Sequence, residues 1–274
     1  MTQHDLTLIS GTAQTDADVV ELKHLIDGAW VGATTGEWFE RRSPATGQLV
    51  SRAATGGAAD VEAAIAAART AFDDRRWSDM PGAERAALIT KVAELIDDNR
   101  SRLALMETLE SGKPISQARA EIEGAANIWR YAATLAWNIR GQSQNALGPD
   151  MLGLVLKEPI GVVSIITPWN FPFLIVSQKL PFALAAGCTA VVKPSEMTSA
   201  TTVMLGEFLI EAGLPAGVVN IVLGYGDPVG TAMTTHPSVD MVSFTGSTAV
   251  GKAIVAATAK TLKKVSLELG GKNP

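Results

Sequence analysis

The chain has 274 residues, 47% of them hydrophobic and 19% charged, which is long enough to bury one or two cores and too apolar for a disordered chain or a coiled coil. Its 23 basic and 28 acidic residues give a net charge of −5, which argues against nucleic acid as a partner. The one cysteine, Cys188, excludes an internal disulfide and a cysteine-rich metal centre, and three scattered histidines offer no ligand set, so we expect no metal.

The first 20 residues read as a polar tail without the basic start and apolar run of a signal peptide. Each apolar run further along is broken by Lys, Glu, Gln or Pro before it reaches the roughly 18 residues of a membrane span. We therefore expect a cytoplasmic protein with no membrane partner.

The first predicted elements are a hairpin and a layer of helices. Apolar residues at 22–26 and 30–31 flank Asp27-Gly28, a strong hairpin signal, and a second turn follows at 43–47. From residue 58 to about residue 139, apolar residues recur at helical spacing and predict four helices, which we interpret as a packing layer. Between residues 141 and 158 the helical period vanishes, and the segment is either a projecting strand pair or a loop.

The remainder of the chain alternates strands with helices. Apolar runs of strand length lie at 162–166, 190–193, 218–223, 241–245 and 264–268, and helical segments lie between them at 173–186, 200–212, 227–235 and 247–260. Five such strands with little polar alternation predict a Rossmann-like, five-stranded parallel sheet with helices on both faces. We expect the strand at 264–268 to be central in this sheet. In such sheets ligands collect at the carboxyl ends of the strands, so the segment after each strand is where a site is expected.

The segment after the first strand is Thr-Pro-Trp-Asn-Phe-Pro, residues 167–172. Two prolines stiffen this turn and hold the amide of Asn170, which suits it to donate a hydrogen bond to a developing oxyanion. Taken alone, an ordinary helix-capping asparagine is the more common explanation.

Lys193, Pro194, Ser195 and Glu196 follow the second strand. An acidic residue in this position can accept hydrogen bonds from ribose hydroxyls, and Lys193 can contact the same ribose or a phosphate. The alternative is a solvated Lys–Glu pair at the start of a helix.

Two glycine-rich segments follow the third and fourth strands. The first, residues 224–230, departs by one residue from the dinucleotide pattern and is a weak signal. The second, residues 244–253, nearly matches a Walker A loop, but Ala253 stands where Ser or Thr would bind magnesium. This favours a cofactor that binds by its phosphates without being hydrolysed over a P-loop nucleotide hydrolase.

Glu268 lies at the carboxyl end of the fifth strand, where partial burial would raise its pKa towards that of a general base.

Four of these segments occur together in an order and spacing that resemble the aldehyde dehydrogenase family: 167–172, 193–196, 244–252 and 267–274. The resemblance runs from about residue 22 to the last residue.

The resemblance implies a role for each matching position. Asn170 would be the oxyanion donor and Glu268 the general base, while Phe171, Ile175 and Gln178 would line the substrate tunnel. The cofactor would be NAD, with NADP less suited because its 2′-phosphate would meet the Glu196 carboxylate. The residues implied to bind the cofactor are Ile166, Thr167, Pro168, Trp169, Lys193, Ser195, Glu196, Gly226, Gly230, Phe244, Gly246, Ser247, Val250 and Leu269.

The resemblance also implies a domain plan. Residues 21–140 and 159–268 would form the dinucleotide-binding domain, residues 141–158 an extended oligomerisation arm, and residues 269–274 the start of a catalytic domain. The family's nucleophilic cysteine would lie beyond residue 274, and Cys188, between a helix end and a buried strand, reads as a small packed residue. We therefore expect a truncated aldehyde dehydrogenase fold.

In the full enzyme a cysteine thiolate would add to the aldehyde substrate. The resemblance also implies that the full-length protein forms a dimer or tetramer. The chain alone would be inactive. The alternative is a non-catalytic nucleotide-binding or interaction fragment that docks onto a complementary chain.

Overall fold

The computed structural model describes residues 19–272, so most of the predicted polar tail, and the last two residues, lie outside the described part. The first predicted element, the hairpin, is confirmed as β2 (His24–Ile26) and β3 (Ala29–Val31). Asp27 and Gly28 between them have φ values of 50° and 78°, the positive values that a type I′ turn requires at both central residues.

The predicted parallel sheet is confirmed. Its strands are β8 (Val162–Ile166), β9 (Thr189–Lys193), β10 (Val219–Ile221), β11 (Met241–Gly246) and β12 (Lys264–Leu269). Their order is β12-β11-β8-β9-β10, all parallel. The β2–β3 hairpin, which was not predicted to join this sheet, continues it antiparallel beside β10 and makes it seven-stranded. We expected the strand at 264–268 to be central in the sheet, and this was wrong, because within residues 19–272 β12 is an edge strand paired with β11.

Helices cover both faces of the sheet. On one face lie α1 (Ala58–Asp73), α8 (Thr231–Thr235) and α9 (Thr248–Thr258). On the other lie α5 (Pro172–Ser177), α6 (Leu180–Ala185) and α7 (Ala200–Ala212). Outside these pack α2 (Gly82–Asp98), α3 (Arg100–Ser111) and α4 (Ile115–Ala136), so the predicted helical layer is confirmed for three of its four helices, whereas α1 packs directly on the sheet.

The single helix predicted over 173–186 is wrong, because it is two short helices, α5 and α6. The helix predicted over 227–235 is shorter than expected, because Gly226–Gly230 form an irregular turn in which Asp227 has non-helical φ and ψ values, and α8 follows this turn. Both breaks fall near a proline, which lacks the N–H that a continuous helix needs. None of the described helices is long and apolar enough to cross a membrane.

Two smaller sheets complete the described chain. In the first, β1 (Val20–Leu22) pairs parallel with β5 (Leu49–Ala54), and β4 (Trp38–Arg42) pairs antiparallel with β5 across the turn predicted at 43–47. In the second, β6 (Gln142–Gln144) pairs antiparallel with β7 (Gly153–Val155). The segment at 141–158, left open between a strand pair and a loop, is therefore a strand pair.

Candidate functional site

The carboxyl ends of β8, β9, β11 and β12 lie along one edge of the sheet, because the strands are parallel and in register. Each predicted site segment leaves the sheet at this edge. Side chains alternate between the two faces along each strand, so neighbouring residues of one strand line different cavities. Ile166 and Phe244 face one cavity, whereas Ile165, Ser243 and Thr245 face another.

The smaller cavity, of about 240 Å³, lies between the sheet and helices α8 and α9. Six of the predicted cofactor residues line it, and so do six residues that sequence reasoning missed, three threonines of α8 and three apolar residues of α9. The predicted six are Ile166, Lys193, Gly226, Gly230, Phe244 and Val250, and the further six are Thr231, Thr234, Thr235, Ala253, Ile254 and Ala257. Helical spacing from Val250 onward was the sequence signal for the α9 residues.

Lys193 is the charged group of this cavity. Its side chain is buried, and its Nζ donates to the Pro194 carbonyl at 2.9 Å and lies 3.8 Å from a Glu196 carboxylate oxygen. The pKa of the Lys193 ammonium is lowered, because the effect of burial outweighs the opposing effect of the negative charge of Glu196. Glu196 is half-exposed and does not line the cavity, so Lys193 is its connection to it. Ser195 is buried, and its Oγ accepts from the Met197 N–H at 3.2 Å.

The turn from β11 into α9 is closely packed at two glycines, Gly246 and Gly251. Gly246 leaves no room for a side chain, since a Cβ there would lie 2.4 Å from the Phe244 ring. Ser247 is the N-cap of α9, and its Oγ accepts from the Val250 N–H at 3.3 Å. Leu269, at the end of β12, packs against Gly251, whose Cβ would lie 2.6 Å from the Leu269 side chain.

These residues fit a dinucleotide. The cavity walls are apolar and built from small side chains on α9, which suits a flat aromatic base. The buried Lys193 ammonium lines the cavity and the Glu196 carboxylate lies 3.8 Å from it, a pair that suits ribose hydroxyls. The N-terminus of the 11-residue helix α9 lies beside it, and helix N-termini favour phosphate groups. Among the described residues there is no group of three or more His, Cys, Asp or Glu side chains placed to hold a metal ion.

The larger cavity, of about 730 Å³, lies on the opposite face of the sheet. Three predicted residues line it: Glu268, Ile175 and Gln178. Glu268 is exposed in the described chain, so the partial burial that we expected for it is not observed. Gln178 is also exposed and follows the end of α5, while Phe171, predicted to line the same tunnel, does not line the cavity.

Lys179 is a residue of this cavity that sequence reasoning missed. Its Nζ donates to the Ser243 Oγ at 3.0 Å. The pKa of its ammonium is lowered, because the effect of burial outweighs the opposing effect of the Glu268 charge. No motif in the sequence marks Lys179, because only the break between α5 and α6 turns it towards the sheet.

The segment with Asn170 joins β8 to α5. Thr167 is buried and donates its N–H to the Lys193 carbonyl at 3.1 Å, which ties this segment to the one after β9. Pro168 is half-buried, while Trp169 and Asn170 are exposed, and no hydrogen bond to the Asn170 side chain is formed within residues 19–272. The amide is free to donate to a ligand, and helix capping, the alternative for this residue, is not observed.

Cys188 is buried between α6 and β9, in agreement with the expectation of a packed residue. Its small exposed fraction, 4%, faces the larger cavity. Burial raises the pKa of the thiol, which lowers the fraction of reactive thiolate at neutral pH.

Comparison with known proteins agrees with this geometry. The family model described as aldehyde dehydrogenase family matches residues 30–274. Aminoaldehyde dehydrogenase 2 of Zea mays is 46% identical over 255 residues, which cover 91% of this chain and 50% of the maize protein. Aminoacetaldehyde dehydrogenase of Pseudomonas aeruginosa is 45% identical over 251 residues, with the same two shares.

Solved structures agree as well. A crystal structure of an NAD-dependent aldehyde dehydrogenase from Sinorhizobium meliloti superposes with a TM-score of 0.92 at 51% identity, over 93% of this chain and 51% of that one. An NAD⁺ complex of an aldehyde dehydrogenase from Bacillus cereus gives a TM-score of 0.90 at 42% identity, over 93% and 52% of the two chains. This chain thus spans about half the length of the relatives it matches, and it belongs to the aldehyde dehydrogenase family.

Proposed function

We propose that this chain binds NAD in the 240 Å³ cavity and forms the cofactor-binding half of an enzyme that oxidises an aldehyde to a carboxylic acid. The observation that carries the proposal is the convergence of six predicted cofactor residues, from four separate segments of the chain, on one cavity at the carboxyl ends of the strands. When bound, NAD supplies a hydride acceptor.

The residues of the chain take distinct roles in this proposal. The cavity between α8 and α9 holds the adenine, Lys193 and Glu196 hold its ribose, and the turn at Gly246 and Ser247 faces the pyrophosphate. Asn170 donates its amide hydrogen to the oxygen of the aldehyde as negative charge develops there. Glu268 takes a proton from water, and the Lys179 ammonium lies in the same cavity.

NAD is the proposed cofactor and NADP is disfavoured, because Glu196 brings negative charge beside Lys193, which lines the cavity. We propose the same domain plan as the resemblance implies, with residues 21–140 and 159–268 as the dinucleotide-binding domain and residues 269–274 leading into a catalytic domain. Residues 141–158 serve as the oligomerisation arm of a dimer or tetramer.

The nucleophile in this proposal is not Cys188. Its thiol is buried and its pKa is raised, whereas the nucleophile must reach the aldehyde beside Asn170. A polypeptide of residues 1–274 should therefore form no NADH from NAD and an aldehyde. Turnover that disappears in Cys188→Ser would contradict this assignment.

Binding is tested by titration calorimetry with NAD. Ala253 lines the cavity on α9, and Ala256 is an exposed alanine of the same helix that does not line it. Ala253→Phe fills the cavity and should weaken NAD binding by at least about tenfold, or about 1.4 kcal/mol. Ala256→Phe is the matched control and should bind as wild type does. Absence of binding by the folded wild type, or equal effects of the two substitutions, would overturn the proposal.

A further inference from the structure

Helix α3 carries two buried glutamates one turn apart. Glu107 and Glu110 are 0% and 1% exposed, although α3 is an outer helix that contributes no residue to either cavity described above. Burying a carboxyl group is costly unless its oxygens receive hydrogen bonds. The partners of these two carboxyls therefore indicate what the burial achieves.

Glu110 bonds the start of helix α7. One carboxyl oxygen accepts from the backbone N–H of Ala200, the first residue of α7, at 2.9 Å, and the other accepts from the Ser51 hydroxyl at 2.9 Å. Ala200 directly follows residues 194–199, the segment that carries Glu196. Glu110 thereby fixes the point at which this segment enters its helix.

Glu107 does the same for helix α5. One of its oxygens accepts from the backbone N–H of Phe173, in the first turn of α5, at 3.4 Å, and the other accepts from Lys113 Nζ at 2.7 Å. Lys113 also pairs with the buried Glu121, and its Nζ lies 4.8 Å from the centre of the Phe171 ring. Glu107 and its partner Lys113 therefore hold the end of residues 167–172, the segment that carries Asn170.

Neither helix has a side-chain cap of its own. The N-cap residues are Phe171 for α5 and Ser199 for α7, and neither makes a capping hydrogen bond. Ser199 is of a type that commonly caps helices, yet its hydroxyl donates to the Ser195 carbonyl at 2.9 Å. Ser199 thus forms a hydrogen bond within the segment that carries Glu196. The backbone N–H of Ala200, at the start of α7, donates to Glu110 of α3 instead.

We propose that Glu107 and Glu110 are positioning residues that set, from one helix, the two segments that carry Asn170 and Glu196. The roles of Asn170 and Glu196 themselves rest on the proposed function. The placement of the two segments by α3 does not depend on it, and the two parts are tested separately.

Hydrogen–deuterium exchange of the whole chain tests the placement. Glu110→Met and Glu107→Met remove the acceptors at similar volume, while Glu110→Gln and Glu107→Gln keep an acceptor oxygen. We expect Glu110→Met to raise exchange at least about tenfold in residues 194–201 only, and Glu107→Met to do so in residues 168–174 only. The glutamine variants should restore most of the protection, and each methionine variant is the control for the other.

A milder variant keeps this test decisive if Glu110→Met does not fold. Ser51→Ala frees Glu110 from one hydrogen bond and leaves its carboxyl in place, so exchange in residues 194–201 should rise by a smaller factor. Exchange that rises evenly over the chain, or equally in the methionine and glutamine variants, would show a merely structural role and overturn the proposal.

Dinucleotide binding tests the consequence. Glu110→Met should lower the ratio of NAD to NADP affinity at least about threefold, because Glu196 is no longer held, whereas Glu107→Met should leave the ratio unchanged. A loss of global stability alone would not move this ratio. An unchanged ratio in Glu110→Met would overturn the link to Glu196. If the wild type binds neither dinucleotide, the proposed function fails, while the exchange measurement still decides whether α3 sets the two segments.

Discussion

At the scale of single residues, Glu196 is the side chain on which cofactor choice depends. A 2′-phosphate on the ribose would stand near its carboxylate, and two unit charges about 4 Å apart repel by about 4 kcal/mol at an effective dielectric of about 20. Because the Glu196 side chain is 36% exposed, solvent screens part of this repulsion. We expect wild type to prefer NAD by at least about tenfold, and Glu196→Gln to lose most of that preference, as measured by titration calorimetry.

Glu207→Gln is the matched control for this prediction. Glu207 lies on α7, pairs with Arg102 at 3.1 Å and lines neither of the two cavities of the candidate site. The substitution changes the net charge by the same amount and should leave the NAD to NADP ratio unaltered. Tighter binding of NADP than of NAD by wild type would remove Glu196 as the selector, and so would equal ratios in the two variants.

Glu110 gives a pH dependence of stability with a defined sign. Burial raises the pKa of its carboxyl from 4.5 to about 7, so between these values the folded chain binds the proton and the unfolded chain releases it. This stabilisation is present at low pH and is lost as pH rises through about 7. Glu110→Gln has no such proton. Its free energy of unfolding relative to wild type should therefore rise with pH, by up to about 1.4 kcal/mol per pH unit, and level off above about pH 7.

Denaturant titrations of both proteins between about pH 5 and pH 8 measure this difference. Comparing the two proteins cancels the contributions of carboxyls that do not interact with Glu110, such as Asp60 and Asp97, whose pKa values are lowered. The pKa of Glu107 is also raised to about 7, and its charge acts on Glu110, so the measured difference belongs to this pair of carboxyls. A difference that stays constant over this range would contradict a raised pKa for Glu110.

The sequence predicted the residues of the site that follow strands, because strand ends are readable from apolar runs. It did not predict Glu107 and Glu110, since a glutamate on a helix is ordinarily exposed and only the tertiary packing of α3 against its neighbours buries these two. The expected burial of Glu268 was wrong, because β12 is an edge strand and within residues 19–272 nothing covers its carboxyl end.

At the scale of elements, the close approach of the β2–β3 hairpin to α7 depends on Gly206. A Cβ there would lie 2.8 Å from the Trp30 ring and 2.9 Å from Ile221 Cδ1. Gly206→Ala gains up to about 1 kcal/mol of helix propensity, but overpacking costs about 1–3 kcal/mol, so we expect net destabilisation.

Gly124→Ala supplies the comparison for this prediction. Gly124 is in the interior of α4, and its Cβ would meet only Leu174 Cδ1, at 3.8 Å, an ordinary contact. Here the helix propensity gain stands alone, and stability should rise by up to about 1 kcal/mol. Thermal and denaturant unfolding of both variants measure the two effects. Equal shifts of the same sign would show that Gly206 is not a packing contact.

Long periodic elements were predictable and short ones were not. The helices between residues 58 and 136 bury a regular apolar stripe, and the helix predicted at 200–212 matches α7. Strands β1 and β4 were missed, because their residues alternate in burial over only three and five positions. The break between α5 and α6 falls near Pro181, and the apolar periodicity from which that helix was predicted does not register a proline.

At the scale of the whole molecule, the parallel sheet separates two cavities, one suited to a nucleotide and one that holds Glu268. The segments after β8 and β9 are joined at the strand ends, since the Thr167 N–H donates to the Lys193 carbonyl. Topology of this kind was predicted from the alternation of strands and helices. The antiparallel extension by β2 and β3 was not, because a hairpin signal does not specify which sheet it joins.

Within residues 19–272 the β6–β7 pair has no covering layer. Its apolar side chains are exposed, Leu156 to 75%, and the others are Leu147, Met151, Leu152, Leu154 and Val155. A two-stranded sheet with apolar side chains in water is marginally stable by itself, and an exposed apolar patch of this kind is typical of a protein interface. If this segment is the oligomerisation arm, a second copy of the chain covers it.

Replacing Leu152, Leu154 and Leu156 together by serine should therefore dissociate the assembly. By size-exclusion chromatography with light scattering, wild type should have at least twice the 28.7 kDa mass of one chain, and the triple variant should approach one chain. Leu262→Ser is the control, because Leu262 is 88% exposed and lies outside the arm. It should leave the mass unchanged. Association through the exposed edge of β12 or through the larger cavity would not depend on the arm, so it would persist in the triple variant. A monomeric wild type, or a triple variant of unchanged mass, would contradict the assignment of residues 141–158 as the arm.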